Sequence, residues 1–187
     1  MKINNFSAGP SKIPQKVLDQ LSIDIINYQN LGYSVLEISH RSKIFQDILN
    51  STKSYLQKIL NIPENFEIIF LQGGATFQNT IIAANKPKLM TDLTFLLSGT
   101  WGAKTHKDFQ DYFKKEINSL VLSNQKFDEL IEQVNNLNSN YLYITSNETI
   151  EGIQIKNFKS FENKKLIIDM SSDICSYEFD WKNISYI

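Results

Sequence analysis

Apolar and polar residues follow one another along this chain with two different periods, which predict alternating strands and helices. Short apolar runs have the length and composition of buried strands; they lie at 67–72, 93–98, 117–122, 141–145 and 165–169, and 184–187 looks like the opening of one more. Between them, apolar residues recur every three or four positions, as on one face of a helix; these segments lie at about 14–30, 42–60 and 76–85, around Phe109 and Phe113, and at 127–137. The alternation predicts an α/β fold, a mostly parallel sheet flanked by helices.

The first residues differ from the rest. They contain Gly9-Pro10 and show no helical period, so we expect 1–13 to form an extended arm. The remaining residues, 14–187, are expected to form one domain, because a chain of 187 residues provides roughly one domain with a substantial core.

Composition narrows the classes of function. The net charge is −1, which gives no bulk attraction to nucleic acid or anionic membranes, and no apolar run is long enough to span a bilayer. Cys175 is the single cysteine and the chain has two histidines, so neither an intrachain disulfide nor a cysteine or histidine-rich metal site is expected. The N-terminus lacks the apolar segment of a secretory signal, and the cytoplasm is the default expectation.

A first candidate for ligand binding is the turn after the strand predicted at 67–72. Gly73 and Gly74 end that strand, and a helix begins near Thr76. A glycine pair lets the backbone approach a ligand closely, and the free N–H groups and dipole of a helix N-terminus favour an anion. Such a pair is more often only a turn, so the interpretation depends on the residues that accompany it.

Arg41 is the only arginine among the 19 basic residues. Its guanidinium group can bind a carboxylate or phosphate through two parallel hydrogen bonds, which lysine cannot reproduce. A site that needs this geometry explains a lone arginine, and a random surface position explains it equally well. His40 and Arg41 come just before the helix at 42–60, where an anion is also favoured.

Three more candidates lie at or just past the carboxyl ends of predicted strands, where α/β sheets bind ligands. They are the flat aromatic Trp101, the hydroxyl of Thr149 and the carboxylate of Asp169. Each has an ordinary alternative, since tryptophan usually packs in a core, threonine occurs in turns and aspartate caps helices. Together with the anion-binding turn they fit pyridoxal 5′-phosphate (PLP), whose ring nitrogen needs an acidic partner for the ring to act as an electron sink.

Five segments carry a resemblance to a known family. They lie at 5–10 (Asn-Phe-Ser-Ala-Gly-Pro), 37–41 (Glu-Ile-Ser-His-Arg), 70–75 (Phe-Leu-Gln-Gly-Gly-Ala), 146–150 (Ser-Asn-Glu-Thr-Ile) and 169–173 (Asp-Met-Ser-Ser-Asp). In this order they resemble the phosphoserine aminotransferases, fold-type I PLP enzymes of serine biosynthesis. The resemblance implies the large PLP-binding domain of that fold and a homodimer. It also implies transfer of an amino group between L-glutamate and 3-phosphohydroxypyruvate, giving O-phospho-L-serine and 2-oxoglutarate.

The resemblance also implies roles for the candidates in binding the cofactor. Gly74, Ala75 and Thr76 would hold its phosphate through backbone N–H groups and the Thr76 hydroxyl. Trp101 would stack on its ring, and Thr149 would form a hydrogen bond near the phenolic oxygen of the ring.

The remaining roles concern the ring nitrogen, the substrate and the catalytic lysine. Asp169 would pair with the ring nitrogen, Arg41 would bind an anionic group of the substrate, and His40 would assist. The family's Schiff-base lysine is expected a little beyond the strand that 184–187 begins, and Lys182 precedes that strand and is a poor replacement. We therefore expect a fragment, without this lysine or the small C-terminal domain, that is inactive alone.

Two alternatives stay open. One is another fold-type I PLP enzyme, against which the segments at 39–41 and 147–149 argue. The other is a truncated, non-catalytic chain that binds a phosphate ligand or assembles with a partner chain. His106, Cys175 and Trp181 match nothing functional, and we expect core or surface roles for them.

Overall fold

The computed structural model describes residues 3–7, 10–86, 88, 91–122 and 127–187. Contacts divide the chain into two units, Met1–Tyr55 and Leu56–Ile187. Within the described residues, no helix is long and apolar enough to cross a membrane.

The first unit is built around helices. It holds α1 (Gln15–Ile26) and the start of α2 (Lys43–Leu60). Pro14 precedes α1, and its fixed φ suits a helix start. The Ser42 hydroxyl accepts the Phe45 N–H at 3.2 Å and caps α2, as the sequence predicts. α1 ends before the predicted limit near residue 30, because the backbone of Asn27 is extended and the chain then turns through Gln29 and Asn30, which have positive φ.

The second unit contains a parallel sheet. Its strands are β1 (Leu93–Leu97), β2 (Asn118–Val121), β3 (Tyr141–Thr145), β6 (Lys165–Asp169) and β7 (Ile184–Tyr186), in the order β2–β1–β3–β6–β7. All four pairings between neighbouring strands are parallel. In the sequence, the segment between β3 and β6 forms a separate antiparallel hairpin of β4 (Asn147–Glu148) and β5 (Ile153–Gln154). The sequence pattern does not predict this hairpin. The predicted α/β class, with a mostly parallel sheet, is confirmed.

Helices pack on both faces of this sheet. They are α3 (Ala75–Asn85), α4 (Thr100–Phe113) and α5 (Phe127–Asn135). On one face, Phe95 of β1 stacks on Tyr143 of β3 and packs with Phe109 of α4. The next residue, Leu96, points to the opposite face because side chains alternate along a strand, and there it packs in a cluster with Leu130 of α5. The sheet therefore lies between two layers of helix.

The prediction of a strand at 67–72 is wrong. Residues 67–72 adopt no regular secondary structure and pair with no described strand. Ile69, Phe70 and Leu71 are 66%, 54% and 51% exposed rather than buried. An apolar run shows that its side chains suit the pleated, half-buried surface of a sheet. The run forms a strand only when a neighbouring strand is available to pair with it.

Candidate functional site

The site lies at one edge of the sheet because its three central strands are parallel. β1, β3 and β6 are neighbours, so their carboxyl ends lie side by side. Thr145 at the end of β3 is the register partner of Asp169 at the end of β6. α4 begins three residues after β1, and the β4–β5 hairpin follows β3 directly. The residues predicted at the strand ends are therefore brought to one edge, as expected for α/β sheets.

Trp101 and Thr149 meet at this edge. The indole Nε1 of Trp101 donates a hydrogen bond to the Thr149 hydroxyl at 2.8 Å, across 48 positions of sequence. Trp101 is 42% exposed, so it is not a core tryptophan. The hydrogen bond fixes the indole edge and leaves part of the ring accessible to a flat ligand.

Two glutamates fill the N-terminus of α4. The fully buried Glu148 accepts the N–H groups of Trp101 and Gly102, each at 2.8 Å. Glu151 accepts the N–H and the hydroxyl of Thr100 at 2.9 and 2.5 Å, and these hydrogen bonds lower the pKa of Glu151, the hydroxyl bond most strongly. Sequence reasoning missed both glutamates, since an acid capping a helix about 50 residues away leaves no local pattern.

The N-terminus of α3 is different, because no side chain among the described residues accepts its first-turn N–H groups. Gly74 is its N-cap residue, and Ala75 and Thr76 form its exposed first turn. Lys104 of α4 donates to the Thr76 hydroxyl at 3.3 Å and pairs with Asp108 at 2.7 Å. This turn therefore presents N–H groups, a hydroxyl and a nearby ammonium group, which suits an anion.

A buried hydrogen-bond chain holds α3 and α4 against the sheet. Asn79 of α3 donates to the Thr105 hydroxyl of α4 at 3.0 Å and accepts the Tyr143 hydroxyl proton at 3.3 Å. Burial raises the pKa of Tyr143, and the negative charge of Asp169 raises it further, so the phenol stays protonated and remains a donor. The anion-binding turn is thus tied to the strand that leads to Thr149.

Asp169 ends β6 half-buried. Its Oδ1 accepts the N–H and the hydroxyl of Ser171 at 2.9 and 2.6 Å, which orients the carboxylate. Among the described residues, nothing forms a hydrogen bond with its Oδ2. One oxygen thus serves the local turn, and the other is available to a ligand.

Asp173 anchors the hairpin. This buried carboxylate accepts the Ser146 hydroxyl at 2.5 Å and the Gln154 amide at 3.1 Å, at the two ends of the hairpin. The Tyr177 hydroxyl adds a third hydrogen bond at 3.2 Å, and burial followed by the charge of Asp173 raises the Tyr177 pKa. The segment after β6 therefore fixes the hairpin that carries Glu148 and Thr149.

His40 and Arg41 belong to the first unit, and both are exposed. The Arg41 N–H donates to the Ser39 hydroxyl at 3.3 Å, and the His40 carbonyl accepts the Gln46 amide at 3.2 Å. Their predicted roles in substrate binding stay predictions. His106 forms a hydrogen bond with the Ile117 carbonyl.

Comparison with known proteins identifies the family. The class-V aminotransferase profile matches residues 3–186. The chain belongs to the class-V aminotransferases.

The relatives within this family are phosphoserine aminotransferases. The enzyme of Halalkalibacterium halodurans is 37% identical, with 98% of this chain and 51% of the relative aligned. The chloroplastic phosphoserine aminotransferase 1 of Arabidopsis thaliana is 36% identical, over 96% and 42%. The PLP-bound crystal structure of phosphoserine aminotransferase from Trichomonas vaginalis superposes with a TM-score of 0.82 at 30% identity, over 96% of this chain and 54% of that one. The chain thus spans about half the length of the curated relatives that it matches.

Proposed function

We propose that this chain forms the PLP cradle of a phosphoserine aminotransferase. The complete reaction transfers an amino group between L-glutamate and 3-phosphohydroxypyruvate, giving O-phospho-L-serine and 2-oxoglutarate. The observation that carries the proposal is the meeting of Trp101, Thr149 and Asp169 at the ends of three adjacent strands. The relatives and the PLP-bound structure support the same reading.

The residues present fit the phosphate group of PLP. Among the residues that the structure describes, no side chain accepts the first-turn N–H groups of α3, whereas two carboxylates fill the N-terminus of α4. Of these two neighbouring helix N-termini, only the first can accept an anion without displacing a carboxylate. In this proposal Gly74, Ala75 and Thr76 hold the phosphate, and Lys104 adds a positive charge beside it.

The residues also fit the ring. When bound, PLP supplies an electron sink for bonds at the α-carbon of the substrate. In the proposed site, Trp101 stacks on the ring, Thr149 orients the indole and binds near the phenolic oxygen, and Asp169 offers Oδ2 to the protonated nitrogen. The hydrogen bonds from Ser171 to Oδ1 hold that carboxylate in place.

The remaining parts of the proposal concern substrate and assembly. Arg41, with His40, binds a carboxylate or the phosphate of the substrate, since a guanidinium group matches both. The proposed enzyme is a cytoplasmic homodimer that acts on small molecules rather than nucleic acid or membranes. The chain of 187 residues alone is proposed to bind PLP without completing the amino transfer.

Equilibrium dialysis against PLP tests the phosphate cradle. We expect saturable binding that Thr76→Ala weakens by about tenfold, because one hydrogen bond to a charged group is lost. Thr80→Ala is the matched control, since Thr80 lies one turn further along α3 and its hydroxyl donates to the Thr76 carbonyl. Absence of saturable binding, or equal losses in the two variants, contradicts the cradle. Borohydride treatment is expected to leave no covalent adduct, and an adduct at one defined lysine contradicts the proposed inactivity.

A further inference from the structure

We infer that Glu148 is a positioning residue that sets the orientation of Trp101. The inference rests on the proposed function for its consequence, which is ring stacking, and on geometry alone for the contact. Glu148 is fully buried, and both of its carboxylate oxygens accept backbone N–H groups, one from Trp101 and one from Gly102.

The need for Glu148 follows from the residue at the N-cap of α4. That residue is Gly99, which has no side chain to accept the N–H groups of the first turn. A carboxylate from elsewhere in the chain takes over this task, and the helix dipole stabilises its charge. A Cβ atom at Gly99 would lie 2.8 Å from Cγ and Cδ of Glu148. Glycine at this position therefore keeps the space through which the carboxylate reaches the helix.

Two consecutive residues then hold Trp101 at both of its ends. Glu148 fixes its backbone N–H at 2.8 Å, and Thr149 fixes its indole Nε1 at 2.8 Å. The hairpin that carries both residues is itself anchored by Asp173 through Ser146 and Gln154. Rotation of the indole about its side-chain bonds would break the hydrogen bond to Thr149, and a shift of the backbone from which the indole projects would break the one to Glu148. Glu148 therefore fixes the backbone position from which the ring reaches the stacking position.

Indole N–H signals in a ¹⁵N–¹H spectrum test the contact without any cofactor. The chain has two tryptophans, and Trp181→Phe assigns their signals. We expect Glu148→Gln to shift the Trp101 signal and leave the Trp181 signal in place. The glutamine amide has one acceptor oxygen, whereas Glu148 accepts two backbone N–H groups with its two oxygens. In Glu148→Gln the NH₂ group would therefore face one of these backbone N–H groups, which would lose its acceptor. A purely structural role would move both signals or neither.

Two further variants make this test decisive. Glu151→Gln is the matched control, since Glu151 caps the same helix through hydrogen bonds to Thr100 rather than to Trp101, and we expect it to leave the Trp101 signal unchanged. Gly102→Ala serves if Glu148→Gln does not fold, because alanine favours a helix and its Cβ would lie 3.0 Å from Glu148 Oε1. It should displace the carboxylate and shift the same signal. An unchanged Trp101 signal in Gly102→Ala, or in a folded Glu148→Gln, overturns the inference.

PLP binding then separates the contact from its consequence. We expect Glu148→Gln to weaken PLP binding by about tenfold, and Glu151→Gln to leave it unchanged. Equal affinities of Glu148→Gln and wild type, with a shifted Trp101 signal, overturn the role in stacking. If wild type binds no PLP, the proposed function fails, while the indole signals still decide whether Glu148 positions Trp101.

Discussion

At the scale of single residues, charge complementarity distinguishes two neighbouring helix N-termini. Glu148 and Glu151 occupy that of α4, whereas at the first turn of α3 the described residues place the Lys104 ammonium group beside the Thr76 hydroxyl and no carboxylate on the N–H groups. α3 follows a glycine pair and α4 follows a single glycine, so the presence of glycine in the sequence does not show which of the two helices binds an anion. The contacts do, and they are the reason for which we propose α3 rather than α4 as the anion site.

We predict that Lys104→Gln weakens PLP binding by about two- to fivefold at low salt, because a half-exposed ammonium group contributes about 0.5–1 kcal/mol. Its side chain is 45% exposed, so salt should screen the effect, and the difference from wild type should shrink near 1 M salt. Lys107→Gln is the control, because Lys107 lies on the same helix and forms an equivalent ion pair with Asp111, as Lys104 does with Asp108. Equal effects of the two substitutions would show that Lys104 contributes only general charge.

Residue positions at the site could be predicted from the sequence, but their contacts could not. Trp101, Thr149 and Asp169 follow apolar runs, and a parallel sheet brings the ends of such runs together. The hydrogen bond between Trp101 and Thr149 joins residues 48 positions apart, and that between Glu148 and Trp101 spans 47. These contacts depend on strand order, and hydrophobic periodicity does not encode strand order.

At the scale of elements, an apolar run became a strand where the fold provides a partner strand and did not where the described residues provide none. The runs that became β3 and β6 match the predicted bounds, because each of these strands has a parallel neighbour on both sides. The run at 67–72 has a similar composition and no partner among the described strands. The β4–β5 hairpin was missed because its strands are two residues each, too short to show a period.

Hydrogen exchange should separate these two kinds of apolar run. The backbone amides of residues 68–71 form no hydrogen bond within the described part of the chain, so we expect them to exchange at nearly unprotected rates. The amides of β3 lie between two paired strands, and they should exchange at least about a thousandfold more slowly than those of 68–71. Comparable protection of both segments would mean that 67–72 is paired after all.

At the scale of the whole molecule, the core and the proposed cofactor cradle belong to the same unit. Every buried side chain among the described residues belongs to Leu56–Ile187, as do Thr76, Trp101, Thr149 and Asp169. The buried sheet therefore supports the proposed cradle residues directly, and a binding site on a rigid scaffold can hold a ligand in one orientation. Arg41 and His40 lie in the other unit, where the proposed substrate contacts await their own test.

The most direct test of the central claim is a fluorescence titration with PLP on two single-tryptophan variants. In Trp181→Phe, Trp101 is the only tryptophan, and with selective tryptophan excitation we predict saturable quenching at the affinity of wild type, because in the proposed site the cofactor ring stacks on this indole. In Trp101→Phe, we predict PLP affinity about tenfold lower, because a stacking partner of the ring is changed. Quenching that does not saturate in Trp181→Phe, or wild-type affinity in Trp101→Phe, would contradict the claim that this sheet edge holds the cofactor.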